Sequence, residues 1–204
     1  MSVATVTTAQ RARLLQREAT REALIAAGID ALATHGLEGV KVANVAKHAG
    51  LANGTFYTYF TDRHDLYNAI VDRLVADLAK RLAAVHSTWE AGKSEVDRAE
   101  VEAFVDFVEQ NPNFIGAFWA AGPTGRPMTL LVEQRETELR RMQLAGAVRS
   151  DIDLSVMARA EAYLPLAVLA WWDADRSVPR SVLVDSLVAY RKDGTRPTPS
   201  PSAD

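Results

Sequence analysis

The sequence predicts an all-α protein of about nine helices, and three observations carry that prediction. Apolar residues recur at i, i+3, i+4 and i+7 along nearly the whole chain. Gly, Pro, Asn and Asp fall between these stripes, where helices start and stop. No convincing strand, with a partner to pair with, can be placed in what is left. With 204 residues, 48% of them apolar and 24% charged, the chain can bury a real core.

The elements follow in order. From Thr20 the stripe Leu24, Ala27, Gly28, Ala31, Leu32 marks one helix face, with Thr20 as N-cap and Gly36 as the left-handed residue beyond the end. Val42, Val45, Ala46 and Ala49 make a two-turn helix ending at Gly50. Asn53-Gly54 followed by TFYTYF is locally a hairpin signal. The strand that should precede it is missing, and Phe56 and Phe60 stand at i, i+4, so a helix fits the segment as well. Helix propensity there is mediocre, so packing must hold it.

Asp62 caps a long helix to about Val85, with Leu66, Ile70, Leu74, Leu78 and Leu82 at i+4 steps. Residues 87–99 connect to a helix that carries Val101, Phe104, Val105 and Val108 to Asn111. Asn111-Pro112 starts a short helix over 112–121, which Gly122-Pro123 and Gly125-Arg126-Pro127 break. Residues 127–145 form a helix with a charged face, ended by Gly146. Asp153 caps an apolar helix to Asp175, with Pro165 inside it and expected to kink it. Ser177 and Pro179 begin a last helix to Lys192.

Composition excludes several functions. There is no cysteine, hence no disulfide, thiolate metal site or cysteine nucleophile, which suits a cytoplasmic location. No signal peptide or uninterrupted apolar span is expected. The net charge of -3 argues against a protein that coats nucleic acid without specificity. Residues 1–21 carry a local net +3 from Arg11, Arg13, Arg17 and Arg21 against Glu18, an arm able to approach phosphate. His35, His48, His64 and His86 are scattered, each read as structural or solvent-facing, and no hydrolase, zinc or phosphate-loop motif is present. No enzyme activity, cofactor or metal is expected.

A helix, a Gly-containing turn and a second short helix make a helix-turn-helix. Ala33-Thr34-His35-Gly36, Val45-Ala46-Lys47-His48-Ala49-Gly50-Leu51, Gly54-Thr55-Phe56-Tyr57-Thr58-Tyr59-Phe60, Arg63 and Leu66 together resemble the DNA-binding domain of the TetR/AcrR family of bacterial transcriptional regulators. The resemblance implies a helix-turn-helix domain over 17–77 with its motif at 41–60. It implies an effector-binding and dimerisation bundle over 78–192, leaving 1–16 and 193–204 as disordered tails. Lys41, Ala43 and Ala52 depart from the family pattern; with no side-chain cap at Ala52, Asn53 is expected to take that role.

A recognition helix enters a groove about 12 Å wide, so its leading face needs small or flat residues. Gly54 permits close approach, and Asn53 and Thr55 can hydrogen-bond phosphate or a base edge. The resemblance places Tyr57, Thr58 and Tyr59 on DNA and Arg63 on phosphate, with Lys41, Asn44 and Lys47 on the flanking backbone. Phe56 and Phe60 read as core; Tyr57 and Tyr59 also fit half-buried structural tyrosines.

In the second half the resemblance implies a small apolar or amphipathic effector inside the bundle, with Phe104, Phe118, Trp119, Tyr163 and Trp171 as lining candidates. For any single one of these aromatics, core or dimer interface is the better account. The last two helices resemble the family's dimerisation pair. The expected function is a repressor that binds a palindromic operator in double-stranded DNA as a homodimer, with no membrane association. The alternative is a helical interaction protein whose degenerate helix-turn-helix no longer binds DNA.

Overall fold

A computed structural model describes residues 7–87, 95–120 and 126–195. Among these residues the protein is all α, in nine helices without a strand. The chain divides into two compact units, Met1–Val71 and Asp72–Asp204.

The first unit holds α1 (Thr8–Gly39), α2 (Val42–His48), α3 (Asn53–Phe56) and the opening turns of α4 (Arg63–Ser87). α1 starts far earlier than the apolar stripe indicates, so residues 8–16 are helix and not tail. Thr7 caps it through a reciprocal box: the Thr7 hydroxyl accepts from the Gln10 amide at 3.3 Å, and the Gln10 side chain accepts from the Thr7 amide at 2.9 Å. Thr20 is no cap; its hydroxyl donates to the Gln16 carbonyl at 2.9 Å, within the helix. The reason is propensity. Arg, Leu, Gln, Glu and Ala dominate 9–23 and favour helix without any burial.

The core of this unit forms around Leu24, Leu32, Val45, Ala46, Phe56, Phe60, Leu66 and Ile70, all essentially inaccessible. α1 packs on α2, and α2 on α3. Gly36 takes a positive φ of 61°, as expected of a helix-ending glycine, but its ψ of -160° lies outside the left-handed helical well. The chain turns there and completes one more helical turn to Gly39. Gly50, at φ 70°, ends α2 in a Schellman turn: Leu51 N–H donates to the Ala46 carbonyl at 2.8 Å and Gly50 N–H to Lys47 at 3.1 Å. Asp62 caps α4 by accepting from the Asp65 amide at 2.9 Å, as its position predicts.

The second unit contains the rest of α4, then α5 (Glu95–Gln110), α6 (Phe114–Ala120), α7 (Arg126–Leu144), α8 (Leu154–Ala174) and α9 (Arg180–Thr195). α9 runs to Thr195, past the end expected at Lys192. α7 and α6 pack on α8, and α5 on α9. Phe107, Phe114 and Phe118 contact one another in sequence, edge-to-face and then tilted, at centroid distances of 5.1 and 5.9 Å, and are fully buried. Asn111 does not cap α6. Its side chain turns back to donate to the Phe107 carbonyl at 2.8 Å, closing α5. Asp153 caps α8 through the amides of Ser155 and Val156 at 2.9 and 3.0 Å, and Pro165 sits within that helix. The Gly-Pro break expected over 122–125 lies outside the described residues.

Gly39 is required by the fold. A Cβ there would stand 2.6 Å from the Ala31 carbonyl oxygen and 2.5 Å from the His35 Cβ. Backbone cannot yield as a side-chain tip can, so Gly39→Ala is expected to destabilise the first unit by about 1–3 kcal/mol. Denaturant unfolding of the full chain followed by circular dichroism checks this; an unchanged midpoint contradicts it.

Candidate nucleic-acid interface and interior cavity

α3 is only four residues long, and 3₁₀-type bonds from Thr58 to Thr55 and from Tyr59 to Phe56 carry the backbone on to Phe60. Phe56 and Phe60 anchor it from beneath, with ring centroids 5.5 Å apart and both rings buried. This register turns Asn53, Gly54, Tyr57 and Thr58 outward. Tyr57 is 62% exposed, its ring edge-on to Phe56. Thr55 and Tyr59 are half-buried. On α2, Lys41, Asn44 and Lys47 are exposed, with Asn44 reaching the Gly39 carbonyl at 3.5 Å, at the long limit of a hydrogen bond.

Two expectations about this surface change. The N-cap of α3 is Ala52, without a side-chain cap bond, and Asn53 is already the first helical residue, so it does not replace the cap. Lys41, the N-cap of α2, likewise makes no cap bond. Arg63 is half-buried and donates to the Leu37 carbonyl, which ties the start of α4 to the end of α1. It therefore has structural work irrespective of any phosphate.

The N-terminal turns of α1 supply residues beyond those assigned to the motif. Arg11, Arg17 and Arg21, with Leu14, Leu15 and Glu18, share a groove of about 430 Å³ with Tyr59. The Arg21 guanidinium lies 5.2 Å from the Phe60 ring centroid. The net +3 of this segment is visible in the sequence; its helical order and its junction with Tyr59 are not.

The second unit contains a partly open cavity of about 80 Å³. Phe104 lines it, as expected, with Leu78, Leu82, Val101, Leu131 and Pro165. The other four candidates lie elsewhere. Phe118 is core, Trp119 and Tyr163 pair with each other at 6.3 Å between centroids, and Trp171 is 49% exposed on α8. Of these rings only Phe118 fills the core; the opening lies instead beside an ionic cluster. Glu100, Arg135, Glu161 and Arg191 all line the cavity. Arg135 pairs with Glu161 and, at 3.4 Å, with Glu100; Arg191 reaches Glu100 at 2.8 Å and Glu161 at 3.8 Å. His86 is not solvent-facing. Its Nε2 lies 2.9 Å from Glu100.

Burial pushes the Glu100 carboxyl up, but Arg191, Arg135 and then His86 outweigh that and hold it well below the usual carboxylate range. Glu161 Oε1 is buried without a hydrogen bond. The signal that could have found this cluster is charge on an apolar stripe: Glu100 four residues before Phe104, Arg135 between Val132 and Leu139, Arg191 after Leu187 and Val188. Among the described residues no group of acidic and His side chains is arranged to hold a metal ion.

α8 is long and apolar enough to cross a membrane by length and composition, with mean hydropathy 1.2 over 18 residues and 17% of that window buried within the chain. Arg159 and the ion-paired Glu161 stand inside it, which lipid would disfavour.

Known proteins match both units in fold. Residues 24–70 match the model of the family described as bacterial regulatory proteins, tetR family. An uncharacterized HTH-type transcriptional regulator of Haemophilus influenzae is 29% identical over 102 residues, 50% of this chain and 49% of that protein, so the match spans about half of each. Among solved structures, the reduced form of Escherichia coli NemR is similar with a TM-score of 0.69 at 17% identity, covering 88% of this chain and 98% of that one. A TetR-family transcriptional regulator from Streptomyces coelicolor gives 0.66 at 21%, covering 84% and 78%. The fatty acid degradation regulator FadR of Bacillus halodurans gives 0.68 at 15%, covering 83% and 93%. At these identities the structural likeness speaks for fold.

Gly54 separates a structural from a functional need. A Cβ at Gly54 would meet nothing within 4 Å, and its φ is not positive. Nothing in the chain requires glycine there, and glycine in a helix costs up to about 1 kcal/mol relative to alanine. Gly54→Ala is therefore expected to leave the melting temperature unchanged or slightly raised and, on the reading that this surface enters a major groove, to weaken DNA binding at least ~10-fold, because the added methyl group would meet the groove. Parallel thermal melts and binding titrations test this; equal DNA affinity contradicts it.

Proposed function

We propose that this chain, a transcriptional regulator of the TetR family, is a repressor that binds a palindromic operator as a homodimer and releases it on taking up a small effector. The observation that carries the DNA reading is the outward surface of Asn53, Gly54, Tyr57 and Thr58, with Lys41, Asn44 and Lys47 beside it, set rigidly over two buried phenylalanines. Small residues lead, a flat ring follows and lysines flank them, which suits a major groove bordered by phosphate. Lys41 and Lys47 position the protein, and the segment from Asn53 to Tyr59 reads the site.

Dimerisation is supported by the apolar surface left on the last helices: Val156 and Trp171 on α8, Val182 and Tyr190 on α9. A two-fold pair would place its recognition segments about 34–36 Å apart. The effector is apolar over most of its surface and carries a hydrogen-bond donor. The aliphatic walls beside Phe104 would hold its body, and Glu161 Oε1 would accept from its polar end. Effector and DNA would favour different conformations, with a coupling of typically ~1–3 kcal/mol, and α4 is the continuous element shared by both units.

A second reading is an interaction protein that has lost DNA binding. Ala43 and the uncapped Ala52 favour it. A gel shift of the full chain with DNA flanking its own gene, titrated with amphipathic alcohols and amides, decides between the two. Tyr57→Ala is expected to abolish the shift while leaving helical content and dimer intact. A binding-competent Tyr57→Ala variant overturns the site, and a wild-type chain that shifts no flanking DNA favours the second reading. Arg63→Ala is a poor probe because it also frees the Leu37 carbonyl.

A further inference from the structure

We infer that the first turns of α1, Thr8 to Thr20, form a second DNA-binding element that grips the phosphate backbone without reading sequence. The inference rests on the DNA reading above and extends it to a part of the chain outside the helix-turn-helix.

The segment buries almost nothing. Every residue from Thr8 to Ala19 is exposed, and the first core residue of α1 is Leu24. At 1.5 Å per residue, these twelve exposed residues make about 18 Å of helix with no core residue in it. A helix of that length is marginal alone, yet it is continuous with a packed one and closed by the Thr7–Gln10 box. An ordered helix with no partner in its own unit presents its side chains to something else.

Those side chains are cationic and are aimed by geometry. Arg13, Arg17 and Arg21 stand at i+4 steps on one face. The lowest of them, Arg21, lies over Phe60, the residue that closes the recognition segment. Arg11 and Arg17 share their groove with Tyr59 of the same segment. Arg11, Arg13 and Arg17 form no ion pair among the described residues, and Glu18 is the sole acid among residues 1–21. A duplex seated against Tyr57–Tyr59 would meet this row of guanidinium groups where its flanking phosphates run. Arginine forks suit phosphate oxygens, and the segment offers no constellation for a base edge. The acidic balance of the rest of the chain leaves this row as a local, directed attraction.

The test is the salt dependence of binding. Fluorescence anisotropy measures Kd of the full chain for a flanking-gene duplex and for a random-sequence duplex of about 30 base pairs, from about 50 to 200 mM salt. The comparison is Arg11→Gln/Arg13→Gln/Arg17→Gln, which keeps helix propensity and touches no buried residue. The slope of log K against log salt is expected to fall by about 0.9 for each phosphate no longer neutralised, hence by about 2–3 for each protomer bound and by about 5 for a dimer whose two rows both engage. Affinity falls by the same factor on both duplexes, so their ratio is unchanged. An unchanged slope overturns the inference, as does a changed ratio, which would mean base reading. A changed oligomeric state overturns it too, assigning Leu14 and Leu15 to a protein interface. A wild-type chain that binds neither duplex defeats the DNA reading itself and this inference with it.

Discussion

Two phenylalanine rings one helical turn apart hold the candidate interface in shape. Burying Phe56 and Phe60 contributes on the order of 1.5–3 kcal/mol each, more than the fraction of a kcal/mol per residue by which Thr and Tyr disfavour helix. Residues i and i+4 share a face in a strand too, so the exposed Thr58 and the bonds from Thr58 to Thr55 and Tyr59 to Phe56 are what mark the segment as helical, with Tyr57 and Thr58 outward. With the rings inside, Tyr57 points out and Tyr59 leans toward α1. A slip of one residue would bury Tyr57 and expose an apolar ring at the surface offered to a partner. The Gly50 turn reinforces the geometry, because its positive φ lets α2 stop where α3 must begin.

Charge is handled in opposite ways in the two units. In the first, Arg11 and Arg17 of α1 stand exposed and, among the described residues, without an ion pair, in a groove shared with Tyr59 and Glu18. In the second, two guanidinium groups and two carboxylates are buried together and balance, with His86 at the edge. A buried cluster of this kind seldom adds net stability over an apolar replacement. Its place on the cavity wall sets polar atoms among a lining that is otherwise mostly aliphatic, with Phe104 and Tyr190.

Local signals are legible in the residues. Asp62 and Asp153 cap the helices they precede, and Gly36, Gly50 and Gly146 take positive φ where stripes end. These depend on a few neighbouring residues. The early start of α1 is not legible from periodicity, because an apolar stripe marks burial and this segment is helical without it. Asn111 misleads for a related reason: its amide can serve the helix before it as well as the one after, and only packing selects. In the interface, exposure of Asn53, Gly54, Tyr57 and Thr58 follows from spacing, whereas the bond that engages Arg63 spans α1 and α4 and has no local trace. The cavity is the least legible part. It lies where side chains fail to meet, and a search for large rings finds Phe104 on its wall but also a core ring, Phe118, and a surface ring, Trp171.

Whether the segment around Tyr57 is the surface that meets duplex DNA can be read residue by residue. Amide hydrogen exchange of the full chain, with and without duplex from its flanking DNA, provides that reading. Exchange over 41–60 is expected to slow on binding. Binding that leaves 41–60 unprotected, with protection confined to the second unit, would place the DNA elsewhere on the molecule.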